Sequence, residues 1–121
     1  MQTVLIVDDS SVMRQLVNMC LTGAGYAVVE AIDADDALAK VRAQHVDLVI
    51  SDLNMGKVNG ISLVKLIRAQ PSHKYTPILL LTTESSPAVK AEGRAAGASG
   101  WLVKPFAPPE LLKTVRRALP G

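Results

Sequence analysis

The stretch that decides the fold reads VDLVISDLNM and covers residues 46–55. Its centre, Leu48 to Ile50, is a short apolar run of the kind found in a strand that is buried on both faces. The run ends at a carboxylate, Asp52, and the loop GKVNG follows at residues 56–60. An acidic residue at the carboxyl end of a buried strand either caps a backbone segment, binds a ligand or reacts. The residues that follow the other strands indicate which of these roles applies.

Four further apolar runs lie at residues 4–7, 26–31, 78–81 and 101–103, and segments with helical spacing follow each of the five runs. Such alternation predicts an α/β fold with a parallel sheet, right-handed crossovers and helices on both faces. We therefore expect a three-layer, doubly wound (βα)5 domain over residues 1–121, with its five strands in the order 2-1-3-4-5. Ligands of such sheets bind at the carboxyl ends of the strands.

The helical segments and the histidines give more local predictions. Gly93 and Gly97 should weaken the fourth helix. His45 and His73 are expected in solvated loops. In the first helix, which Gly23-Ala24-Gly25 should end, the apolar spacing predicts a buried stripe formed by Val12, Leu16, Met19 and Cys20, with Met13 and Val17 beside it.

Composition excludes several classes of function. The chain is 49% hydrophobic and 20% charged, which is typical of a globular protein and not of a disordered one. A net charge of +2 and an aromatic content of 3% argue against nucleic-acid binding. The single Cys20 suits a reducing compartment, and no apolar stretch is long enough to span a membrane. We expect a cytoplasmic protein without a membrane partner.

Polar residues follow four of the five strands, and the predicted strand order brings them together. Asp8 and Asp9 follow the first strand, Asp52 the third, Thr82 the fourth and Lys104 the fifth. Three carboxylates in one pocket repel one another unless a cation offsets them. Oxygen ligands select a hard ion such as Mg²⁺ or Mn²⁺, and Mg²⁺ commonly shares its coordination sphere with phosphate. A carboxylate can itself accept a phosphoryl group, and Asp52 is the best placed to do so.

Each of these residues also has an ordinary structural interpretation. Asp8 and Asp9 stand where a helix begins and could serve as N-caps. Asp52 could be a loop acid, and Lys104 a solvated surface lysine. Their joint placement on four strand ends favours a shared site.

Four motifs resemble those of response-regulator receiver domains, in order and spacing. They are VDDS at 7–10, SDLNM at 51–55, LTTE at 81–84 and KPF at 104–106. The resemblance covers the whole chain, is nearest to the stand-alone CheY-like type, and implies the flavodoxin/CheY-like fold. It implies a signalling domain of two-component systems and not an enzyme that acts on separate substrates.

The resemblance also implies roles for individual residues. Asp52 would accept a phosphoryl group from a histidine kinase or a phosphotransfer protein. Asp9, Asp52 and the backbone carbonyl of Asn54 would bind Mg²⁺ directly, with Asp8 acting through water. Two further residues, Thr82 and Lys104, would hold the phosphoryl oxygens.

Further implications concern switching and the lifetime of the phosphoryl group. Trp101 would be the switching aromatic residue, and the Lys104-Pro105 bond would be cis. Asn54 and Glu84 occupy the positions that tune hydrolysis in the family, and this pair, which CheY carries, predicts a short lifetime. The chain departs from the common pattern at Gly56, where proline is frequent, and at Thr83, where a smaller residue is usual.

The partners follow from the same resemblance. A downstream protein would bind the surface formed by the fourth helix, the fifth strand and the last helix, which is basic, although these charges are equally typical of a solvated face. The phosphodonor would dock near Met13 and Arg14. Either a monomer or a phosphorylation-dependent dimer is compatible with the sequence.

Two other classes share parts of the pattern. Haloacid-dehalogenase-like phosphatases also use an Asp nucleophile and Mg²⁺, but their Asp-x-Asp loop follows strand one, whereas Asp8 and Asp9 are adjacent here. A small flavin-binding protein of similar topology would need a hydroxyl- and glycine-rich phosphate loop in the place of these two acids.

Overall fold

The structure is a computed structural model, and it describes residues 1–54, 59–83 and 86–119. Strands and helices alternate throughout these ranges, and a short 3₁₀ helix, Pro71–His73, precedes the fourth strand. The elements are β1 Thr3–Val7, α1 Ser11–Gly23, β2 Ala27–Ala31, α2 Ala34–Ala43, β3 Leu48–Asp52, α3 Gly60–Arg68, β4 Ile78–Thr82, α4 Pro87–Ala96, β5 Gly100–Val103 and α5 Pro108–Ala118.

The five strands form one parallel sheet in the order β2-β1-β3-β4-β5, which confirms the predicted topology. The register aligns the carboxyl ends of neighbouring strands. Asp52 of β3 pairs with Leu81 of β4, and Thr82 of β4 pairs with Val103 of β5. The polar residues that end the strands therefore lie along one edge of the sheet.

Each face of the sheet is covered by its own apolar core, as a three-layer fold requires. Leu5 and Val49 point into the core shared with α2 and α3. Ile6 and Ile50 point to the opposite face, into the core shared with α1 and α5. This alternation follows from the two-residue period of a strand, and the central strands are apolar on both faces because both are buried.

The predicted buried stripe of α1 is wrong. Val17 and Leu21 are fully buried, whereas Val12 and Met19 are each 74% exposed and Leu16 is 43% exposed. The helix carries apolar residues around more than half of its circumference, so spacing alone does not identify the face that meets the sheet. Two further residues named in that prediction are only half-buried: Met13 and Cys20.

Side-chain caps explain where four of the helices begin. The side-chain oxygens of Ser10, Asp33, Asn59 and Ser86 each accept a hydrogen bond from the backbone N–H three residues further on. Such caps satisfy amides that have no partner inside the helix. Ser10, in particular, starts α1 directly after the two acids of the site.

Arg68, at the end of α3, holds the C-terminal end of α4. Its guanidinium group donates two hydrogen bonds to the carbonyl of Gly97 and further bonds to the carbonyls of His73 and Thr76. Gly97 has a φ of 111°, a left-handed conformation that glycine adopts readily, and it caps α4. Gly97 therefore ends the helix and does not weaken its interior, which corrects part of the prediction for α4.

His73 also differs from its predicted solvated position, because its side chain is only 1% exposed. Its Nε2 accepts a hydrogen bond from the backbone N–H of Val46 at 3.2 Å, and its ring stacks on His45 with centroids 5.6 Å apart. Burial lowers the pKa of His73, and His45 lowers it further. The ring joins the start of β3 to the turn before β4, while His45 itself is exposed as predicted.

The Lys104–Pro105 peptide bond is cis, as the resemblance implies. Among the described residues, no helix combines the length and apolarity needed to cross a bilayer.

Candidate functional site

Three acids meet at the carboxyl edge of the sheet. Asp8 and Asp9 follow β1 directly, and Asp52 is the last residue of the neighbouring β3. Each of them places a carboxylate oxygen within 4.8 Å of the others. Asp8 and Asp52 are buried, whereas Asp9 is exposed, so the cluster opens to solvent on the side of Asp9.

The two carboxylate oxygens of Asp8 have different surroundings. Oδ1 accepts a hydrogen bond from the backbone N–H of Ser10 at 2.9 Å. Oδ2 is buried and has no hydrogen-bond partner among the residues that the structure describes. Burial raises the pKa of Asp8, the Ser10 bond and the Lys104 ammonium group oppose this shift, and the carboxylates of Asp52 and Asp9 add to it. A buried, unpartnered carboxylate oxygen is costly unless a ligand completes its environment.

Lys104 provides a positive charge inside the cluster. Its Nζ lies 3.1 Å from Oδ1 of Asp52 and 3.7 Å from Oδ2 of Asp8, and its side chain is 17% exposed. Its backbone N–H donates to the carbonyl of Thr82 at 2.8 Å, which extends the pairing of β4 and β5 by one residue. The end of the fifth strand thus places the ammonium group between the acids of β1 and β3.

The charge balance favours a cation. At 4.8 Å, two carboxylate charges repel by roughly 3 kcal/mol at an effective dielectric constant of about 20, and by less where solvent screens Asp9. Lys104 supplies one positive charge against three negative ones. The possible metal ligands of the cluster are carboxylate oxygens, and a hard divalent ion such as Mg²⁺ prefers such ligands. The residues present therefore fit the predicted cation.

The other predicted site residues lie on the same edge or close to it. Thr82 ends β4 and is fully buried next to the strand that carries Asp52. Asn54 is exposed two residues after Asp52, and its backbone N–H is 3.4 Å from Oδ1 of that residue. Glu84 lies outside the described residues, as does Gly56.

Trp101 lies on β5 and packs against α4. Its indole is half-buried against the core that β5 shares with α3 and α4. A Cβ atom on Gly93 of α4 would stand 2.3 Å from Cζ2 of that ring. No side chain larger than hydrogen fits there without movement of the indole or the helix, so Gly93 creates the space that Trp101 occupies.

Sequence reasoning gave no role in the site to Glu30 of β2, and placed Arg14 of α1 only near a docking surface. The structure joins them by a salt bridge, and the same arginine donates to the backbone carbonyl of Asp8. The only sequence signal was an acid on an otherwise apolar edge strand. Strand two therefore contributes the Glu30 carboxylate to the surroundings of the site, through Arg14.

Comparison with known proteins identifies the class of protein that has this fold, a receiver domain. The chain belongs to the response regulator receiver domain family, whose family model matches residues 4–116. This membership places the protein in two-component, chemotaxis-like signalling, in which receiver domains interact with histidine kinases and with downstream targets.

The similar proteins are of the same type. The chain is 33% identical to the protein PilG of Pseudomonas aeruginosa over 98% of its own length and 87% of that protein's length. It is 38% identical to a chemotaxis protein CheY homolog of Campylobacter jejuni, over 95% and 90% of the two chains. Among solved structures, chemotaxis protein CheY4 of Vibrio cholerae superimposes with a TM-score of 0.96 at 53% identity, over 98% and 99% of the two chains. The chain thus resembles CheY-like receivers of about its own length.

Proposed function

We propose that the protein is a phosphorylation-controlled signalling switch consisting of one receiver domain over residues 1–121. A histidine kinase or a phosphotransfer protein transfers a phosphoryl group to Asp52 in a Mg²⁺-dependent reaction. The phosphorylated form exposes a different α4–β5–α5 surface to a downstream protein, and autodephosphorylation restores the starting state. The only chemistry proposed is this self-catalysed gain and loss of one phosphoryl group, in the cytoplasm.

One observation carries the proposal: the Asp52 carboxylate lies between the partly buried ammonium group of Lys104 at 3.1 Å and two further carboxylates within 4.8 Å. In the transfer, a carboxylate oxygen of Asp52 forms a bond to phosphorus as the bond from phosphorus to the donor histidine nitrogen breaks. The nitrogen keeps the electron pair and takes up one proton from solvent, so the donor histidine returns to its neutral imidazole form. In the second half of the cycle, a water oxygen bonds to phosphorus as the bond from phosphorus to the Asp52 oxygen breaks, so that inorganic phosphate leaves and Asp52 regains its carboxylate.

The residues proposed to hold the cation are Asp8, Asp9, Asp52 and the backbone carbonyl of Asn54. Bound Mg²⁺, or Mn²⁺ in its place, would neutralise negative charge that develops on the phosphoryl oxygens. Asp8 supports this assignment best, because its buried Oδ2 accepts no hydrogen bond from the described residues and lies 3.7 Å from Nζ of Lys104 in the cluster. Three carboxylates would repel an incoming phosphoryl group in the absence of a cation.

Lys104 and Thr82 are proposed to hold the remaining phosphoryl oxygens. The ammonium group of Lys104 needs to turn only from Asp52 Oδ1 to an oxygen carried by the same side chain. The hydroxyl of Thr82 stands at the end of the adjacent strand β4. Both groups would stabilise charge on the transferred group by charge-assisted or neutral hydrogen bonds.

Trp101 and α4 are the proposed route from the site to the surface. Movement of Thr82 toward the phosphoryl group would open space for the indole, and the indole contacts α4 at Gly93. A groove of about 510 Å³ lies beside Trp101 and is bordered by Arg117 of α5. Further exposed basic residues on α4 and α5 favour an acidic, amphipathic partner segment: Arg94, Lys113 and Arg116.

The exposed apolar stripe of α1 supports docking of the phosphodonor at that helix. Val12, Leu16 and Met19 are directed to solvent one turn apart, close to the acids that precede α1. Exposed apolar side chains that share one helix face are typical of a protein-binding surface. The proposal covers both a monomer and a dimer that forms on phosphorylation.

Trp101 also provides the test, because it is the only tryptophan in the chain. Mg²⁺, followed by beryllofluoride or acetyl phosphate, should change its fluorescence in wild-type protein. In the variant Asp52→Asn the response to beryllofluoride should be lost. With Asn54 and Glu84 as tuning residues, the acetyl phosphate signal should decay within minutes of donor removal, and a signal that persists for hours would contradict the proposed lifetime control.

A further inference from the structure

Arg14 of α1 contacts the backbone of the acidic segment, Asp8 and Asp9, which follows β1. Its Nη1 donates to the carbonyl oxygen of Asp8 at 2.7 Å, and its Nε donates to Oε1 of Glu30 on β2 at 3.1 Å. Its side chain is 15% exposed, so both bonds form in a partly buried environment. One guanidinium group thus bridges the edge strand and the turn that carries the first two acids.

A chain of hydrogen bonds holds this guanidinium group in place. The second oxygen of Glu30 accepts from Nδ2 of Asn18 at 2.8 Å, and Oδ1 of Asn18 accepts from the hydroxyl of Thr22 at 2.7 Å. Both oxygens of Glu30 are therefore engaged, one by Arg14 and one by Asn18. The carboxylate cannot rotate without breaking one of the two bonds, so it fixes the direction of the guanidinium plane.

With Arg14 in place, three of the four polar atoms of Asp8 are held. Its N–H donates to the carbonyl of Ala31 at 3.2 Å, its Oδ1 accepts from Ser10, and its carbonyl oxygen accepts from Arg14. Oδ2 accepts no hydrogen bond from the described part of the chain, and it is buried 3.7 Å from Nζ of Lys104. The arginine bond completes a set of restraints that aims this one oxygen into the site.

We propose that Arg14 is a positioning residue for the cation site, and that Glu30 orients it. The proposal rests on the cation site of the proposed function, which it deepens. Arg14 would act through the Asp8 carbonyl, by fixing the backbone from which both Asp8 and Asp9 extend. It would make no contact with the cation itself.

The direction in which the affinity for the cation changes when Arg14 is neutralised distinguishes this positioning role from a purely electrostatic one. Removal of a positive charge near a cation site favours the cation, so the charge effect alone predicts tighter binding when Arg14 is neutralised. Loss of positioning predicts weaker binding, because a group that orients a metal ligand typically contributes 10-fold to 100-fold to affinity. The two effects have opposite directions.

The test is the affinity of the full-length protein for Mg²⁺ and Mn²⁺, measured by titration calorimetry and by the electron paramagnetic resonance signal of free Mn²⁺. Arg14→Met keeps the length of the side chain and removes its charge and donors. Lys40→Met is the matched control, since it removes a positive charge from α2, where Lys40 bonds Asp36 instead of the acidic segment. Urea unfolding of each variant without metal reports any general loss of structure.

We expect Arg14→Met to raise the dissociation constant for both ions by about 10-fold or more, and Lys40→Met to leave it unchanged or slightly lower. Arg14→Lys keeps the charge but cannot reproduce the planar fork that meets both acceptors, so it should bind more weakly than wild type as well. Arg14→Lys also tests the positioning role if Arg14→Met does not fold.

Two results would have different meanings. Equal or tighter binding by Arg14→Met and Arg14→Lys than by wild type would overturn the positioning role while leaving the cation site intact. Failure of wild-type protein to bind either ion would overturn the cation site of the proposed function, and the positioning role with it.

Discussion

Substitution of Gly93 by alanine should disturb the packing of Trp101 against α4. The added Cβ would lie 2.3 Å from the indole Cζ2, a separation at which the ring or the helix must move. Forcing an additional carbon into a packed contact typically costs about 1–3 kcal/mol. Replacement of glycine by alanine inside a helix contributes about 1 kcal/mol in the opposite direction. The net expectation for Gly93→Ala is a free energy of unfolding between unchanged and about 2 kcal/mol lower.

Gly23→Ala is the matched control for this prediction. Gly23 is the last residue of α1, and a Cβ atom there would meet no heavy atom within 4 Å. It should therefore show only the benefit of alanine, a stabilisation of about 0.4–1 kcal/mol. The difference between the two variants, about 0.4–3 kcal/mol, then reports the contact with Trp101.

Urea unfolding followed by far-ultraviolet circular dichroism gives both free energies without use of the tryptophan signal. Acrylamide quenching of Trp101 fluorescence should increase in Gly93→Ala, since the displaced indole becomes more exposed, and should stay at the wild-type level in Gly23→Ala. If Gly93→Ala were as stabilising as Gly23→Ala, with unchanged quenching, the idea that Gly93 creates the space for the indole would be refuted.

Three further predictions concern other parts of the structure. Asp8→Asn should stabilise the metal-free protein by on the order of 1 kcal/mol, because it removes a buried charge that the Asp52 and Asp9 carboxylates repel, and should abolish Mg²⁺ binding; a less stable variant in urea unfolding without metal would contradict this. The lowered pKa of His73 means that the unfolded chain binds its proton first, so this residue reduces stability as the pH falls below about 6.5; a value for His73 at or above 6.5 by nuclear magnetic resonance would refute the sign. Arg68→Met should lower the free energy of unfolding by about 2–3 kcal/mol, because the carbonyls of Gly97, His73 and Thr76 lose a charged hydrogen-bond donor. The control Arg116→Met, at an exposed position, should change it by less than about 0.5 kcal/mol. Equal effects of the two substitutions in urea unfolding would show that Arg68 does not hold the end of α4.

The order of the strands could be predicted because the apolar runs are short and four of the five end in polar groups that this order brings together. Leu48 to Ile50 and the runs like it have the length and composition of strands buried on both faces, and the segments between them are long enough for one helix each. Pairing then follows from the few topologies that right-handed crossovers allow. The acids of the site could be predicted for the same reason, since parallel strands bring their carboxyl ends together.

The orientation of α1 could not be predicted in the same way. Val12, Leu16 and Met19 have helical spacing, and so do Val17 and Leu21, but only the second pair meets the sheet. The choice depends on where the chain leaves β1, which is a property of the turn at the acids and not of the periodicity. The first set is free to serve a partner.

The polar contacts between distant residues were also beyond the sequence. Arg14 reaches Glu30 across 16 positions, and His73 reaches the backbone of Val46 across 27. No local pattern marks such pairs, because side chains of this length and charge are usually solvated. Gly93 likewise has no visible role until Trp101 is placed against it.

The phosphoacceptor role of Asp52 is tested most directly by mapping a label. Full-length protein incubated with Mg²⁺ and radiolabelled acetyl phosphate should acquire a base-labile label, as expected of an acyl phosphate, in the peptide that contains Asp52. No label should form when the metal is chelated before acetyl phosphate is added. The same peptide of Asp52→Asn should remain unlabelled in the presence of Mg²⁺. A wild-type protein that takes up no label, or a label that persists at the same level in Asp52→Asn, would contradict the central claim.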